Sequence, residues 1–190
     1  MKVTQDQAAR NRELVVEAAG RLLRENGLDG TSVAEIMQAA NLTHGGFYGQ
    51  FKSKADLVEE VCERGLARGV AFWNRLGDES KDPLRDVIAS YLSAEHVKSP
   101  GKGCFFAALA CDVSRRDRGL RRIFTSGFRA SIDALTRILK RPSPAPRRRE
   151  AIAVLSQLVG AMVLARTIDD EALSREIAEA NDTDIKERRR

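Results

Sequence analysis

Apolar residues recur at helical spacing over most of the chain, and the clearest patterns lie near its start. The positions from residue 5 to about residue 25 predict a first helix, and Asn26-Gly27 supplies a stop signal after it. A short second helix is predicted over 33–40. Ser32 precedes this helix and Glu35 follows three residues later, which is the form of a capping box.

A third segment, with the sequence THGGFYGQF, spans residues 43–51 and contains three glycines. Thr43 has the position of an N-cap, so we predict another short helix up to Gln50, joined to the second by a tight turn as in a helix-turn-helix. Each interior glycine costs a helix roughly 1 kcal/mol relative to alanine. We therefore expect Gly45 and Gly46 to permit close approach of a partner to the backbone. The alternative is that the glycines mark a loose turn.

The rest of the chain predicts further helices, one linker and a frayed charged tail. The segments are a long helix over 53–76, an amphipathic helix over 84–97, a loop over 98–103, an apolar segment over 104–113, a helix over 119–140, a proline-spaced linker over 141–149, a helix over 150–166 that is apolar on nearly every face, and a last helix over 170–180. These patterns predict an all-α fold.

The composition also favours an all-α protein that buries a substantial core. The chain has 190 residues, of which 43% are hydrophobic and only 5% aromatic. No apolar run reaches the roughly 18 residues that span a bilayer, and the polar start lacks the apolar core of a signal peptide. We therefore expect a cytoplasmic protein with no membrane partner.

The net charge of +5 is compatible with an anionic partner, but its distribution does not favour the N-terminal region. Residues 1–60 carry seven basic and nine acidic side chains. The excess of positive charge lies in 114–122, 140–149 and 186–190. Bulk charge alone therefore does not predict that the helix-turn-helix pattern meets an anion.

The three cysteines, Cys62, Cys104 and Cys111, are too few and too irregularly spaced for a disulfide framework or a zinc site of CxxC type. We expect reduced thiols, and neither a metal nor a cofactor. Cys104 follows a loop that contains Lys102, and a thiol near a helix N-terminus and a cation is more reactive. Cys104 is therefore either a thiol sensor or a buried, inert residue.

The segment TSVAEIMQAANLTHGGFYGQFKSKADLVEEV resembles the DNA-binding signature of TetR-type bacterial transcriptional regulators. The resemblance rests on the order of the capped helix, the Ala-Ala pair, the Leu-Thr entry, the Phe-Tyr pair and the Phe-Lys-Ser-Lys exit, and it covers roughly residues 10–61. It implies a helix-turn-helix DNA-binding domain over 1–52. It also implies a helical domain over 53–190 that binds a small effector and forms a dimer, mainly through the last two long helices.

The predicted DNA contacts are of three kinds: to base edges, to phosphates, and through a close approach of the backbone. Side chains at the start of a recognition helix meet base edges, whereas backbone amides, phenols and ammonium groups reach phosphate oxygens. The family often has a histidine where this chain has Gln50. The predicted residues are Thr43, His44 and Gln50 for bases; Gly45 and Gly46 for close backbone approach; Lys52 for phosphate; and, by resemblance, Tyr48 and Lys54 for phosphate and Ser32 for a hydroxyl contact.

Two further sets of residues are predicted in the second domain. Aromatic and polar-tipped side chains are expected to line an effector cavity, since a buried polar tip needs a partner: Trp73, Tyr91, His96, Cys104, Phe105, Phe124 and Phe128. An apolar stripe on the helix over 150–166 is expected to form the homodimer: Ile152, Leu155, Leu158, Val159 and Met162.

These expectations favour a sequence-specific DNA-binding regulator, a homodimeric repressor of a palindromic operator that a small molecule releases. Two alternatives stay open within this class: a thiol-based redox or electrophile sensor, and a constitutive DNA-binding protein without an effector. An enzyme with Cys104 as nucleophile and His96 as base is the rival from another class, but no third, orienting group is evident. We therefore expect no enzymatic activity.

Overall fold

The computed structural model describes residues 5–139 and 144–187, and the regular elements in these ranges are all helical, as predicted. Two 3-10 turns, His44–Gly46 and Pro100–Lys102, accompany the α-helices. The helices are α1 (Gln5–Asn26), α2 (Val33–Ala39), α3 (Lys54–Glu79), α4 (Pro83–Tyr91), α5 (Ala94–Lys98), α6 (Phe105–Ser114), α7 (Arg118–Ile138), α8 (Pro144–Thr167) and α9 (Glu171–Glu187).

The first two helices begin and end where the sequence signals predict. The chain leaves α1 through Gly27, whose φ of 78° lies in the left-handed region that favours glycine. The predicted capping box is confirmed: the Ser32 hydroxyl accepts from the Glu35 N–H at 3.2 Å, and the Glu35 carboxylate accepts from the Ser32 N–H at 2.7 Å. These hydrogen bonds lower the pKa of the Glu35 carboxyl.

The predicted recognition helix over 43–50 is wrong as an α-helix. Its backbone forms the 3-10 turn His44–Gly46 and then further turns up to Gln50, because the glycines supply little helix propensity. Tertiary packing holds the segment instead. Phe47 and Phe51 are 1% and 2% exposed, and their rings stack with centroids 5.4 Å apart.

The later helices differ from the predicted bounds in three places. The amphipathic stretch over 84–97 is broken, because the Ser93 hydroxyl accepts from the His96 N–H at 3.2 Å and starts α5. The linker predicted over 141–149 is helical from Pro144, because proline at the start of a helix loses no intrahelical hydrogen bond. Residues 140–143 lie outside the described ranges. Helix α9 runs to Glu187, and the predicted frayed tail at 188–190 also lies outside them.

The core has two neighbouring apolar clusters, and α3 contributes to both. The first cluster joins α1, α2 and the Phe47 segment to α6 and the start of α7, and the second joins α4, α7, α8 and α9. Ser53, the N-cap of α3, stands at the predicted domain boundary. However, Phe105 and Leu109 of α6 share the first cluster with α1, so packing continues across this position.

Helix α8 corrects the expectation about apolar runs. Over Ala145–Thr167 it is long and apolar enough to cross a membrane by length and composition. Core helices of soluble proteins meet the same criterion, and Leu155, Leu158 and Met162 of α8 are fully buried against the rest of the chain. Length and composition are therefore weak evidence for a membrane span here.

Candidate DNA-binding surface and effector cavity

Helix α2 and the segment after it form an exposed surface at one end of the molecule. Seven of the nine predicted DNA contacts are exposed there, and Tyr48 is 66% exposed. The rings of His44 and Tyr48 meet edge to face with centroids 6.1 Å apart. The exposed members of the set are Ser32, Thr43, His44, Gly45, Gly46, Tyr48 and Lys52.

The fold itself does not require glycine at the two positions predicted to approach DNA. A Cβ atom added at Gly45 would meet nothing within 4 Å, and one added at Gly46 would meet only ordinary contacts at 3.7 Å or more. Neither residue has a positive φ. By contrast, a Cβ atom at Gly65 of α3 would lie 2.1 Å from the Phe105 ring. Internal sterics therefore explain Gly65 but leave Gly45 and Gly46 unexplained.

Gln50 is placed differently from the prediction that it contacts a base. Its side-chain oxygen is buried and has no hydrogen-bond partner, while its backbone carbonyl accepts from the Arg12 guanidinium at 2.6 Å. Arg12 also pairs with Glu60 and lies 4.2 Å above the Phe51 ring. Arg12 thus fixes the end of the segment to α1 and α3, and Gln50 presents no amide oxygen to a groove in this conformation.

Lys54 has an internal partner that the sequence does not indicate. Its ammonium group donates to the carbonyl of Leu28 at 2.7 Å, between the start of α3 and the turn after α1. An ammonium group carries three donors, so this bond leaves capacity for a phosphate oxygen. Lys54 therefore stabilises the arrangement of the helices, whereas Lys52 is exposed.

A cavity of about 620 Å³ lies between α1, α3, the α4–α5 junction and the start of α6. Five of the seven predicted effector contacts line it: Trp73, Tyr91, His96, Cys104 and Phe105. Phe124 and Phe128 do not, which corrects that prediction. Their rings pack against Phe106 instead, with centroids 5.6 and 4.4 Å away, because helical periodicity identifies an inward face but not what that face meets.

His96 is held in one neutral form by the backbone. Its Nδ1 lies 2.6 Å from the Tyr91 carbonyl oxygen, and its Nε2 accepts from the Cys104 N–H at 3.1 Å. The proton therefore resides on Nδ1. Burial, and secondarily the charge of Arg166, lower the pKa of His96. Since both ring nitrogens bind backbone groups, His96 is not available as a base for the Cys104 thiol, which removes the pair on which the enzyme alternative depends.

The Tyr91 hydroxyl stands in the cavity wall without a hydrogen-bond partner. Tyr91 is 5% exposed, and its oxygen is buried. Burial first, and then the neighbouring Cys104, raise the pKa of Tyr91 well above its ordinary value. The hydroxyl is therefore neutral at physiological pH, and it is covered in this conformation although Tyr91 itself lines the cavity.

The cysteines occupy three different environments. Cys62 is buried in the first cluster, and burial raises its pKa to about 12, so this thiol is inert at neutral pH. Cys111 is exposed. Cys104 is half-buried, is the N-cap residue of α6 and lines the cavity. Among the three, only Cys104 would meet a molecule inside the cavity.

Sequence reasoning missed the basic residues of the cavity. Arg24 of α1 and Arg64 and Arg68 of α3 line it, together with Lys102 of the loop before α6. They escaped notice because charged side chains on amphipathic helices usually face solvent. Their spacing of four on α3 is the one signal that would have placed Arg64 and Arg68 on a common face.

The predicted dimer stripe on α8 is largely internal. Leu155, Leu158 and Met162 are 0% exposed, so they pack within the protomer. Ile152 is 43% exposed and Val159 is half-buried. The sequence could not distinguish the faces, because α8 is apolar around most of its circumference. The outward stripe has a four-residue spacing and consists of Ile152, Ser156, Gly160 and Leu164.

Comparisons with known proteins agree on one family. The model of "Bacterial regulatory proteins, tetR family" matches residues 15–61, which include α2 and the His44–Gly46 turn. The HTH-type transcriptional regulator AcrR of Shigella flexneri is 38% identical over 60 residues, which are 32% of this chain and 28% of that protein. The HTH-type transcriptional repressor KstR2 of Mycolicibacterium smegmatis is 30% identical over 97 residues, which are 49% of this chain and 47% of that protein.

The chain thus spans less than half the length of these two curated relatives, and the likeness to solved structures extends further. The structure of a TetR-family transcriptional regulator from Agrobacterium tumefaciens superposes with a TM-score of 0.80 at 22% identity, covering 94% of this chain and 98% of that one. This likeness concerns the fold, whereas the family match rests on the helix-turn-helix residues. Residues 15–61 of this chain therefore match the helix-turn-helix region of the TetR family of bacterial regulatory proteins.

Proposed function

We propose that the protein is a DNA-binding transcriptional regulator, a homodimeric repressor whose operator affinity falls when a small molecule fills the cavity. The observation that carries the proposal is the bare, exposed backbone at Gly45 and Gly46. Nothing inside the protein requires glycine there. A phosphate backbone or base edge lying against these residues supplies the missing reason, since a side chain would keep the backbone at a distance.

The proposed operator contacts follow from exposure. His44 and Thr43 reach base edges at the start of the segment, and Tyr48 and Lys52 bind phosphate oxygens on either side of it. The family model matches residues 15–61, which include this segment, and relatives named as a transcriptional regulator and a transcriptional repressor support a role in DNA binding. With few base-reading side chains, part of the specificity comes from sequence-dependent groove shape.

The proposed dimer uses the outward stripe of α8, with Gly160 at its centre. A Cβ atom there would meet nothing within 4 Å, so a second helix has room to approach closely. Leu164 is 55% exposed and Leu173 of α9 is 42% exposed, which extends the apolar area beyond α8. A two-fold dimer predicts a palindromic operator with half-sites separated by whole helical turns of roughly 34–36 Å.

The experiment that tests this function is selection of bound sequences from a random duplex pool by the purified protein at two salt concentrations. We expect a palindromic motif whose enrichment weakens at the higher salt, because phosphate contacts release counterions. Failure to enrich any sequence at either concentration, with a protein shown to be folded, would contradict the proposal of a sequence-specific regulator.

A second candidate function is thiol sensing at Cys104. It is favoured by one observation, the position of this half-buried thiol in the cavity wall beside Tyr91. It predicts that an electrophile such as iodoacetamide releases DNA from the wild-type protein and not from Cys104→Ser. The exposed Cys111 supplies the matched control, since Cys111→Ser would retain the response.

A further inference from the structure

The cavity has an uneven distribution of charge that indicates what it binds. Its floor is aromatic, with Phe72, Trp73 and Phe105 among the lining residues. Four cationic side chains also line it, Arg24, Arg64, Arg68 and Lys102, against two exposed carboxylates, Glu17 and Glu95. A purely apolar ligand would gain nothing from this excess of positive charge.

The arginines of the cavity differ in how their charge is compensated. Arg64 is neutralised within the protein, because it pairs with Glu13 at 2.6 Å and with Glu60 at 2.7 Å. Arg68 has only a long contact of 3.5 Å to Glu13, which Arg64 already occupies. The charge of Arg68 therefore remains available to a group inside the cavity.

Arg24 is the most unusual of the four. It is half-buried and, among the described residues, forms no ion pair with a carboxylate. It donates to the backbone carbonyl of Gly101 at 2.9 Å and lies 4.4 Å above the Phe105 ring. Desolvation first, and then the positive charge of Arg68, lower the pKa of Arg24 to about 10. Arg24 and Arg68 thus repel each other at one part of the cavity wall while neither forms a close ion pair with a described carboxylate, and a bound anion would stabilise both.

The Tyr91 hydroxyl supplies an independent observation in the same cavity. It is buried and forms no hydrogen bond of ordinary geometry, and its polar side-chain neighbour is the weakly hydrogen-bonding Cys104 thiol, because both ring nitrogens of His96 are engaged. A buried hydroxyl without a good acceptor is unfavourable. A ligand acceptor that reaches this hydroxyl would satisfy it, so we expect the ligand to carry a polar atom besides its charged group.

We propose that the effector is an amphipathic organic anion, with a flat apolar body on Phe72, Trp73 and Phe105 and one anionic group held by Arg24 and Arg68. An acceptor on the body takes the Tyr91 hydroxyl. The volume of about 620 Å³ suits a drug-sized molecule. Calling this ligand an effector rests on the proposed function, but the binding of such an anion to the cavity does not depend on DNA.

The test compares two fluorescent probes that share their rings and differ in charge: anilinonaphthalene sulfonate, an anion, and phenylnaphthylamine, which is neutral. We expect the wild-type protein to bind the anion at least about tenfold more tightly. Arg68→Gln and Arg24→Gln should each remove most of this preference and leave the affinity for the neutral probe unchanged. Arg21→Gln is the matched control, because Arg21 lies on α1, pairs with Glu25 and does not line the cavity.

A variant with a larger side chain in the cavity wall tests whether the two probes bind in this cavity. Gly69 lines the cavity and is exposed, and a Cβ atom there would meet nothing within 4 Å, so Gly69→Leu adds a side chain beside the cavity without a clash in the helix. We expect it to weaken both probes. Equal affinity for the two probes, an anion preference that survives both Arg24→Gln and Arg68→Gln, or full binding to Gly69→Leu would each overturn the inference. The selection of duplex sequences is a separate experiment. If it enriches no operator while the protein still prefers the anionic probe, only the proposed regulatory role is contradicted.

Discussion

The Asp112 carboxylate of α6 accepts a hydrogen bond from the Leu28 N–H at 3.0 Å, and so connects α6 to the turn between α1 and α2. Leu28 follows the left-handed Gly27, where a Cβ atom would lie 2.9 Å from the same carboxylate oxygen. Arg116 pairs with Asp29 in this turn, and Lys54 binds the Leu28 carbonyl. The turn after α1 is thus held from α3, from α6 and from the segment between α6 and α7.

Removing the Asp112 carboxylate should lower the stability of the protein and weaken the coupling between the cavity and the DNA-binding surface. Asp112→Ala leaves the N–H of the buried Leu28 without its acceptor, which costs about 1–3 kcal/mol of unfolding free energy. Thermal or urea unfolding measures the loss. We also expect a smaller effect of the anionic probe on DNA affinity. Arg115→Ala is the control, since it removes only an exposed pair with Asp112 and should change stability by less than about 1 kcal/mol.

Alanine at Gly45 or Gly46 should separate folding from DNA binding. Because the added Cβ atom has room, stability should stay constant or rise slightly. Operator affinity should fall by about tenfold, or ~1.4 kcal/mol, in a titration of fluorescent duplex. Gly69→Ala has equal room but lies in α3, so it should leave the affinity unchanged. Unchanged affinity in both Gly45→Ala and Gly46→Ala would show that DNA does not approach this backbone.

The two neighbouring lysines should respond differently to alanine substitution. Lys52→Ala should weaken binding to all duplexes alike and lower the salt slope by about 1, without loss of stability. Lys54→Ala also breaks the bond to the Leu28 carbonyl, so its unfolding free energy should fall by about 0.5–1.5 kcal/mol. Unfolding midpoints and salt-dependent titrations measure both effects. An unaltered midpoint for Lys54→Ala would mean that this bond contributes nothing.

Stability should decrease in mildly acidic solution because of His96. Its pKa is lowered in the folded protein, so the unfolded chain binds the proton more readily. The full contribution of neutral His96 is therefore present above its ordinary pKa of 6.5 and is lost as pH falls below that value. Melting temperatures between pH 8 and pH 5 should show this decrease, and His96→Gln should flatten it. A curve of equal steepness in His96→Gln would assign the effect to other groups.

A charge on the outward stripe of α8 should separate the protomers. Leu164→Glu introduces carboxylates into the proposed interface, where no described basic group of the stripe compensates them. Sedimentation velocity should then show monomers at concentrations where the wild type is dimeric. Leu14→Glu is a matched control, because Leu14 of α1 is 47% exposed and lies outside α8 and α9. Dissociation by both variants, or by neither, would contradict this interface.

The sequence predicted the fold class and the local signals that depend on neighbouring residues. Each of these signals depends on residues within a few positions of one another, and each is found in the structure: the capping box of Ser32 and Glu35, the helix end after Asn26 and the N-cap at Ser53. The conformation of 43–50 was harder to predict, because its glycines disfavour a helix without specifying which turn forms, and because the contacts that hold Phe47 and Phe51 are tertiary.

The sites were harder to predict where a residue's partner lies far along the chain. The Gln50 side chain turns inward because Arg12 binds the adjacent backbone from α1, 38 residues away. Arg24 enters the cavity because the loop at Gly101, 77 residues later, accepts its hydrogen bond. Periodicity predicts which residues share a face of a helix, but it does not predict which element packs on that face. In α8, residues predicted for a dimer interface are buried within the protomer instead.

Helix α3 connects Lys54, beside the DNA-binding surface, to Trp73 in the cavity wall without interruption. At 1.5 Å per residue, the two ends of this rod lie about 28 Å apart, so a tilt of about 5° at the cavity displaces the other end by about 2.5 Å. In the proposed two-fold dimer both α3 helices would tilt together, and the displacement between the two DNA-binding surfaces would double. In the proposed dimer, a ligand in the cavity that never touches DNA would therefore change the separation of the two DNA-binding surfaces by about 5 Å.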